Sequence, residues 1–317
     1  MSVSFVLLSA DVEKRFVENR LSSRFESAPC GGFSKVYLLR KKAVLKSWET
    51  KFIERFYGRR ENAFARNVRH CIAVEWGVKM ENQKLRDILS NSKNIVFFGG
   101  AGVSTESGIP DFRSVDGLYH KKYKYPPEEI LSHSFFMENT EEFYEFYREK
   151  MIFSDKKPNA AHQALSRLEK SGRLKAVITQ NIDGLHQAAG SKNVLELHGS
   201  IHRNYCMKCR QLYGLERIFQ SSGVPLCDCG GVIKPDVVLY EENLDDYVMK
   251  TALSYIQKAE TLMIGGTSLT VYPAAGMVRY FSGANLILIN KSPTPMDQAA
   301  DMVIQGSIGE VLGEVVR

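Results

Sequence analysis

From residue 81 onward, short apolar runs alternate with longer stretches in which apolar and polar residues recur at helical spacing. The runs are rich in Val, Ile and Leu, and each is followed by glycine or polar residues, as buried strands usually are. We predict six strands, at 94–98, 175–179, 194–197, 261–264, 286–289 and 302–304. Their alternation with helices predicts an α/β fold, in which a mainly parallel sheet carries helices on both faces.

Two stretches interrupt this alternation. Residues from about 115 to 160 are aromatic, charged and helical in pattern, and residues 200–236 contain four cysteines. We expect both to be insertions that together form a smaller domain beside a Rossmann-like core. The core then comprises about 81–114, 161–199 and 237–317.

Polar and glycine residues follow the predicted strands. They are Gly99, Gln180, His198, Gly265 and Asn290. Ligands of parallel sheets bind beyond the carboxyl ends of the strands, so these residues are expected to meet at one edge of the sheet. A functional cleft between the two domains follows from this placement.

The composition of the chain allows a sizeable hydrophobic core and bears on the cellular location of the protein. A chain of 317 residues with 44% hydrophobic content suits one large domain and a small module. The apolar stretches are too short to span a bilayer, and the beginning of the chain lacks the basic region and cleavage site of a secretory signal. We therefore expect a cytoplasmic protein that binds no membrane.

The net charge of +6 is unevenly distributed. Residues 1–80 hold 16 basic and 8 acidic residues, whereas the remainder holds 26 basic and 28 acidic ones. The body of the protein therefore has no basic surplus that would favour nucleic acid.

Residues 1–80 form a basic N-terminal extension that matches no motif, and three interpretations remain open. The extension is an arm for an acidic partner or nucleic acid, a small helical element with a helical period around 49–60, or upstream sequence outside the native protein. The codons for residues 76–79 must form a purine-rich tract resembling a ribosome-binding site, directly before Met80. We expect Met80 to be the natural start.

Four of the six cysteines form two close pairs. Cys206 and Cys209 are separated by two residues, and Cys227 and Cys229 follow after seventeen more with one residue between them. Two thiolate pairs at this separation are typical of a ribbon-like tetrahedral zinc site, and a cytoplasmic setting favours metal over disulfides. Four sulfur ligands leave no open coordination position, so the expected zinc is structural and the smaller domain is expected to be helical and zinc-binding. A redox pair or a vestigial site is the alternative.

The run from Gly99 to Ser114, GGAGVSTESGIPDFRS, has the composition of a phosphate-binding loop. Its glycines allow a diphosphate to approach backbone N–H groups, and the hydroxyls of Ser104 and Thr105 and the guanidinium of Arg113 can bind phosphate oxygens. The spacing differs from both the three-glycine dinucleotide fingerprint and the Walker loop. The run therefore predicts a nucleotide site of another kind.

Four further segments of the sequence are informative: TQNIDGLH at 179–186, LELHG at 195–199, GGTSL at 265–269 and KPDVVLYEE at 234–242. Together with GAGVSTESGIPDFR at 100–113, they resemble the sirtuins, the NAD-dependent protein deacylases. The glycine-rich run matches the sirtuin pattern at every fixed position, and the resemblance extends over roughly residues 82–315.

The resemblance implies a set of cofactor-binding residues for NAD as co-substrate. They are Gly100, Ala101, Gly102, Thr105, Asp111, Phe112, Arg113, Gln180, Asn181, Ile182, Asp183, His198, Gly266, Thr267, Ser268, Asn290 and Ile308. It assigns Gln180 and Asn181 to the nicotinamide ribose, and Ile182 and Asp183 to the nicotinamide itself. His198 is implied as the catalytic general base on the ribose hydroxyls, a role that suits a neutral imidazole.

The resemblance also implies the substrate. The segment 234–242 is expected to pair with an acylated-lysine protein or peptide by strand addition, with Val237, Val238 and Tyr240 as substrate-binding residues. Tyr240 and Glu241 stand where sirtuins commonly have Phe-Gly. The implied reaction transfers the acyl group of acyl-lysine to ADP-ribose and releases nicotinamide, O-acyl-ADP-ribose and free lysine, with no nucleic acid required.

The acyl group has one sequence clue. Sirtuins that prefer acidic acyl groups carry Tyr-x-x-Arg in the small helical domain, and the nearest match is Tyr147-x-x-Lys150. Lysine lacks the forked guanidinium that binds a carboxylate through two hydrogen bonds, so we expect acetyl and other uncharged acyl groups.

Two other functions compete with deacetylation. An NAD glycohydrolase or ADP-ribosyltransferase would use the same pocket with water or another acceptor. A zinc-ribbon nucleic-acid-binding module with a degenerate nucleotide pocket is the rival from another class, although few basic residues surround the cysteines. The sequence does not indicate the oligomeric state or the protein targets.

Overall fold

The computed structural model describes residues 80–112 and 124–317. The strands in these ranges are β1 (Ile95–Gly99), β2 (Leu174–Thr179), β3 (Val194–Glu196), β4 (Gly199–Cys206), β5 (Leu212–Tyr213), β6 (Ile233–Val237), β7 (Thr261–Gly265), β8 (Asn285–Asn290) and β9 (Met302–Gln305). The helices are α1 (80–91), α2 (Pro127–Ile130), α3 (His133–Glu138), α4 (Thr140–Lys150), α5 (Ala160–Lys170), α6 (Leu185–Ala188), α7 (Leu215–Gln220), α8 (Asp246–Lys258), α9 (Ala274–Met277) and α10 (Ile308–Val315). Short 3-10 helices span Ala101–Val103, Thr105–Ser107 and Val278–Tyr280.

Six strands form one parallel sheet in the order β3-β2-β1-β7-β8-β9. All six predicted strands are confirmed, and each predicted end lies within one residue of the observed end. Strand β1 lies in the middle of the sheet, with β2 and β3 added on one side of it and β7, β8 and β9 on the other. The direction in which successive strands are added therefore reverses beside β1. A reversal of this kind opens a crevice at the carboxyl edge of a parallel sheet.

The central strand β1 is fully buried because both faces of the sheet are covered. On one face Ile95 and Phe97 pack with apolar residues of α5 and α10. On the other face Val96 and Phe98 pack with apolar residues of α8. These two clusters confirm the expected α/β fold with helices on both faces.

A second, three-stranded antiparallel sheet has the order β5-β4-β6. It shares an apolar cluster with α2, α3 and α4, in which Phe136, Tyr144 and Tyr147 are almost completely buried. The two interruptions of the sequence pattern therefore pack together, and one of them contains strands that the apolar pattern did not predict. The domain limits given above stay a prediction.

Several expectations concern residues outside the described ranges. The basic extension, its helical period around 49–60 and the expected start at Met80 depend on residues 1–79, and Arg113 also lies outside. Among the described helices, none is both long and apolar enough to cross a membrane.

Candidate active site

A cavity of about 1030 Å³ lies at the carboxyl edge of the parallel sheet. It brings together most of the residues that the sequence predicted as contacts: Gly100, Ala101, Gly102, Thr105, Asp111, Phe112, Gln180, Asn181, Ile182, His198, Val237, Val238, Tyr240, Gly266, Thr267, Ser268, Asn290 and Ile308. Asp183 does not line the cavity, and Arg113 lies outside the described residues. The sheet thus gathers segments far apart in sequence around one space.

The loops after β1 and β7 contact each other through their backbones. The N–H group of Gly102 donates to the carbonyl of Gly266 at 2.8 Å, and that of Gly100 donates to the carbonyl of Gly265 at 3.4 Å. A Cβ atom on Gly102 would lie 2.8 Å from Gly266, and one on Gly266 would lie 2.3 Å from the nitrogen of Val103. These glycines therefore allow close packing of the two loops. Their N–H groups donate to carbonyls of the protein, whereas the sequence predicted that they would bind a phosphate.

Asn290 holds the second of these loops from the end of β8. Its amide nitrogen donates to the carbonyl of Thr267 at 2.9 Å, and its amide oxygen accepts from the N–H group of Thr267 at 3.1 Å. The Thr267 hydroxyl accepts a hydrogen bond from Gln180 at 3.1 Å. Side chains after two different strands thereby fix the position of Thr267 on the cavity wall.

The segment after β2 is anchored by a buried chain of hydrogen bonds. The Ser104 hydroxyl donates to a carboxylate oxygen of Asp183 at 2.6 Å and accepts from the amide of Asn181 at 3.1 Å. The other carboxylate oxygen of Asp183 accepts from the N–H group of Leu185 at 2.9 Å. In this structure Asp183 ties the segment to the glycine-rich loop, and its contact with a ligand stays a prediction.

His198 lies two residues after β3 and lines the cavity. Its Nδ1 atom lies 3.0 Å from the carbonyl oxygen of Gln180. Burial lowers the pKa of His198 below its ordinary value, and the hydrogen bond to Gln180 only partly opposes this. The ring is therefore neutral near physiological pH, with one nitrogen available as a base.

The extended segment after β6 joins His198 to the smaller lobe, which consists of α2, α3, α4 and the antiparallel sheet β5-β4-β6. The N–H group of Val238 donates to the carbonyl of His198 at 3.0 Å, and Tyr240 forms a parallel bridge with Ser132. Glu242 accepts from the buried ammonium of Lys234 at 3.0 Å and from the N–H group of Leu239 at 2.9 Å. Lys234 and Glu242 thus hold the segment that the sequence assigned to substrate.

Two buried histidines contact each other. The rings of His162 and His186 are 4.7 Å apart, and both residues are almost completely buried. Burial lowers the pKa of His162 to about 4 and that of His186 well below its ordinary value. His162 also completes a capping box with Asn159 at the start of α5.

The four cysteines converge as the spacing predicts. Their sulfur atoms all lie within 4.8 Å of one another, and the pairs Cys206–Cys229 and Cys209–Cys227 have Sγ atoms 3.5 Å apart. Tetrahedral zinc with Zn–S bonds near 2.3 Å places sulfurs about 3.8 Å apart. The N–H groups of Lys208 and Cys209 point at the Cys206 sulfur, each at 3.4 Å, as they do around metal-bound thiolates. The donor set therefore fits one zinc ion with no open position.

Some cavity residues were not predicted. Leu131 and Met151 contribute apolar side chains from the smaller lobe, and Lys291 follows Asn290. The position of Lys291 directly after a strand is a signal that could have identified it. Leu131 and Met151 carry no such signal, because isolated apolar residues in helical sequence are usually core residues.

Fold and site together define an α/β nucleotide-binding protein with a structural metal module. The model of the Sir2 family matches residues 100–273. The chain belongs to the Sir2 family.

Individual relatives agree with this assignment. The NAD-dependent protein deacetylase of Clostridium acetobutylicum is 62% identical over 237 residues, which cover 74% of this chain and 97% of the relative. A solved Sir2 enzyme is 43% identical with a TM-score of 0.69, covering 75% of this chain and 97% of its own. A solved complex of Sir2 with a p53 peptide and NAD+ is 39% identical with a TM-score of 0.66, covering 73% and 95%.

Proposed function

We propose that this protein is an NAD-dependent protein-lysine deacetylase. The observation that carries the proposal is the placement of His198 between the nucleotide loops and the substrate segment. Its Nδ1 atom is bonded to the segment after β2, and its carbonyl accepts from Val238. A base held at this junction can act where a nucleotide ribose and an acyl-lysine meet.

The residues around the cavity fit NAD. The hydroxyls of Thr105 and Ser268 and the amides of Gln180 and Asn181 offer donors and acceptors for phosphates and ribose hydroxyls. Ile308 also lines the cavity and supplies an apolar surface for adenine. When bound, NAD supplies an ADP-ribose group that accepts the acyl group and a nicotinamide that departs.

Residues of the chain prepare this exchange. With NAD bound, the Nε2 atom of the neutral His198 ring would take a proton from a ribose hydroxyl. Phe112 lines the cavity and packs against the apolar cluster of the smaller lobe, so it can exclude water from the reacting centre. Preorganised polar groups such as the Asn181 amide supply electrostatic stabilisation without further reorganisation.

The acyl-lysine enters beside Val237, Val238 and Tyr240. Apolar side chains of Phe112, Leu131, Met151, Ile182 and Leu239 line the adjoining wall. Tyr147 and Lys150 do not line the cavity. This composition supports acetyl and other uncharged acyl groups.

One assay tests the function. The purified protein is incubated with NAD and an acetyl-lysine peptide, and the products are identified by mass spectrometry. We expect nicotinamide, deacetylated peptide and O-acetyl-ADP-ribose, each dependent on the peptide. The variant His198→Ala should lose peptide-dependent nicotinamide release by at least about 100-fold, the lower range for general base catalysis.

Other products would point elsewhere. Free ADP-ribose formed without peptide identifies a glycohydrolase, and ADP-ribose attached to protein identifies a transferase. Salt-sensitive nucleic-acid binding without NAD turnover identifies the zinc-ribbon module. Retained turnover in His198→Ala would overturn the role of His198.

A further inference from the structure

Glu106 connects the glycine-rich loop to a helix more than 200 residues away in sequence. It lies in the 3-10 helix Thr105–Ser107, and its carboxylate accepts a hydrogen bond of 2.6 Å from the N–H group of Gly309. Gly309 is the second residue of α10. The contact therefore joins two segments that line the cavity, because Thr105 and Ile308, the first residue of α10, both line it.

Helix α10 has no side-chain cap of its own. Its N-cap residue is Ser307, which makes no capping hydrogen bond with its side chain. The first N–H groups of a helix need acceptors, and a carboxylate near this end also interacts favourably with the helix dipole. Glu106 fills the role that Ser307 leaves open.

The packing around the contact is tight. A Cβ atom added to Gly309 would lie 2.6 to 2.8 Å from the Glu106 carboxylate atoms. On the opposite side, a Cβ atom on Gly265 would lie 2.2 Å from the Cδ1 atom of Ile308. Ile308 is thus fixed between the end of β7 and a helix start that Glu106 holds.

We propose that Glu106 is a positioning residue for NAD binding. It caps α10 from the glycine-rich loop and so sets the position of Ile308 relative to Thr105. The proposal rests on the proposed function, in which Thr105 and Ile308 both contact the ADP-ribose group. Glu106 does not line the cavity, so its effect passes through Gly309 and α10.

The first test compares Glu106→Ala with the wild-type enzyme. We expect KM for NAD and the Kd for ADP-ribose, measured by calorimetry, to rise by about three- to tenfold, a partial loss of one hydrogen bond to a charged group. KM for the peptide and kcat should stay within about twofold, because His198 and Val238 are not disturbed. Glu106→Gln keeps an acceptor oxygen and should restore most of the affinity.

Glu310 provides a matched control. It is also an acidic residue in the first turn of α10, it is exposed, and it has no ion pair or hydrogen bond within the described residues. Glu310→Ala removes the same charge from the same helix end. It should leave KM for NAD and the Kd for ADP-ribose unchanged, which separates capping from a general effect of charge.

A double-mutant cycle isolates the contact. In the wild-type background, Gly309→Ala places a methyl group against the carboxylate and should raise KM for NAD. In the Glu106→Ala background the space is free, and the same change should be neutral. Should Glu106→Ala fail to fold, Glu106→Gln and Gly309→Ala still report on the contact.

The outcomes separate two failures. Wild-type protein that neither binds ADP-ribose nor consumes NAD would refute the proposed function. Wild-type protein that does both, while Glu106→Ala leaves both constants unchanged or Gly309→Ala is equally harmful in both backgrounds, would refute the positioning role alone.

Discussion

The Nδ1 atom of His198 lies 3.0 Å from the backbone carbonyl oxygen of Gln180, directly after strand β2. A carbonyl oxygen can only accept, so Nδ1 carries the proton of the neutral ring and Nε2 is left as the base. Because the partner is backbone, the orientation of the ring is set by the sheet itself.

The pH dependence of the reaction should reflect the burial of this ring. Burial lowers the pKa of His198 below its ordinary value of 6.5, so Nε2 is half protonated only at a pH below 6.5. We expect kcat/KM to fall as the pH decreases, with the midpoint of this acid limb below pH 6.5. Circular dichroism over the same range excludes unfolding as the cause. An acid limb with its midpoint at or above pH 6.5 would contradict this prediction.

Stability should also depend on pH through the buried pair His162 and His186. Burial lowers the pKa of His162 to about 4 and that of His186 well below its ordinary value, so below pH 6.5 the unfolded chain binds protons that the folded chain does not. The free energy of unfolding then decreases as pH falls, by about 1.4 kcal/mol per pH unit for each histidine.

Urea denaturation between pH 7.5 and 5 measures this slope. His186→Phe keeps a ring beside Phe97 and His162 but cannot titrate. In this variant we expect the slope of the free energy of unfolding against pH to decrease by about 1.4 kcal/mol per pH unit, which corresponds to one proton. A slope equal to that of the wild type would mean that His186 does not contribute.

Removing the metal should destabilise the smaller lobe. We expect about one zinc per chain in the purified protein and none in Cys227→Ser after dialysis against a chelator. The melting temperature should then fall by about 10 °C or more, because metal binding contributes directly to folding. Lys208→Ala is the control, since this exposed residue lies between two ligands and provides none. Equal zinc content in the wild type and Cys227→Ser would disprove the four-cysteine site.

Asn290 should affect cofactor affinity through the loop it holds. Asn290→Ala removes both hydrogen bonds to the backbone of Thr267, and we expect KM for NAD to rise by about tenfold. Gln305→Ala removes a hydrogen bond from the neighbouring strand to Lys291 and serves as control. Similar KM values in both variants would show that Asn290 has no special part in the site.

The parallel sheet was predictable because its strands are short, apolar and separated by helices. Buried strands such as β1 are apolar on both faces, and this produces a continuous run in the sequence. The antiparallel strands β4 and β5 were not predicted. Strand β4 carries polar residues such as His202 and Arg203, and β5 has only two residues, so neither produces a clear alternating pattern.

The composition of the site was predictable from its motifs, but the tasks of individual groups were not. The sequence predicts that the glycines at 100, 102 and 266 contact a phosphate, whereas in the structure they allow two loops to pack closely. Similarly, both oxygens of Asp183 accept hydrogen bonds within the protein. Such uses depend on contacts between distant segments, and a motif reports only residues that are close in sequence.

The acyl preference offers a last prediction, because the cavity wall beside the substrate segment is apolar. Phe112, Leu131 and Met151 line it, and the one lysine among the described lining residues, Lys291, follows Asn290 at the end of β8. A succinyl carboxylate would lose its hydration there without gaining an ionic partner, which is costly. We expect kcat/KM for an acetyl-lysine peptide to exceed that for the matched succinyl peptide by at least about tenfold. Met151→Arg would introduce a guanidinium into this wall and should narrow the difference, with Met151→Leu as the neutral control. Faster removal of succinyl than of acetyl by the wild-type enzyme would contradict this prediction.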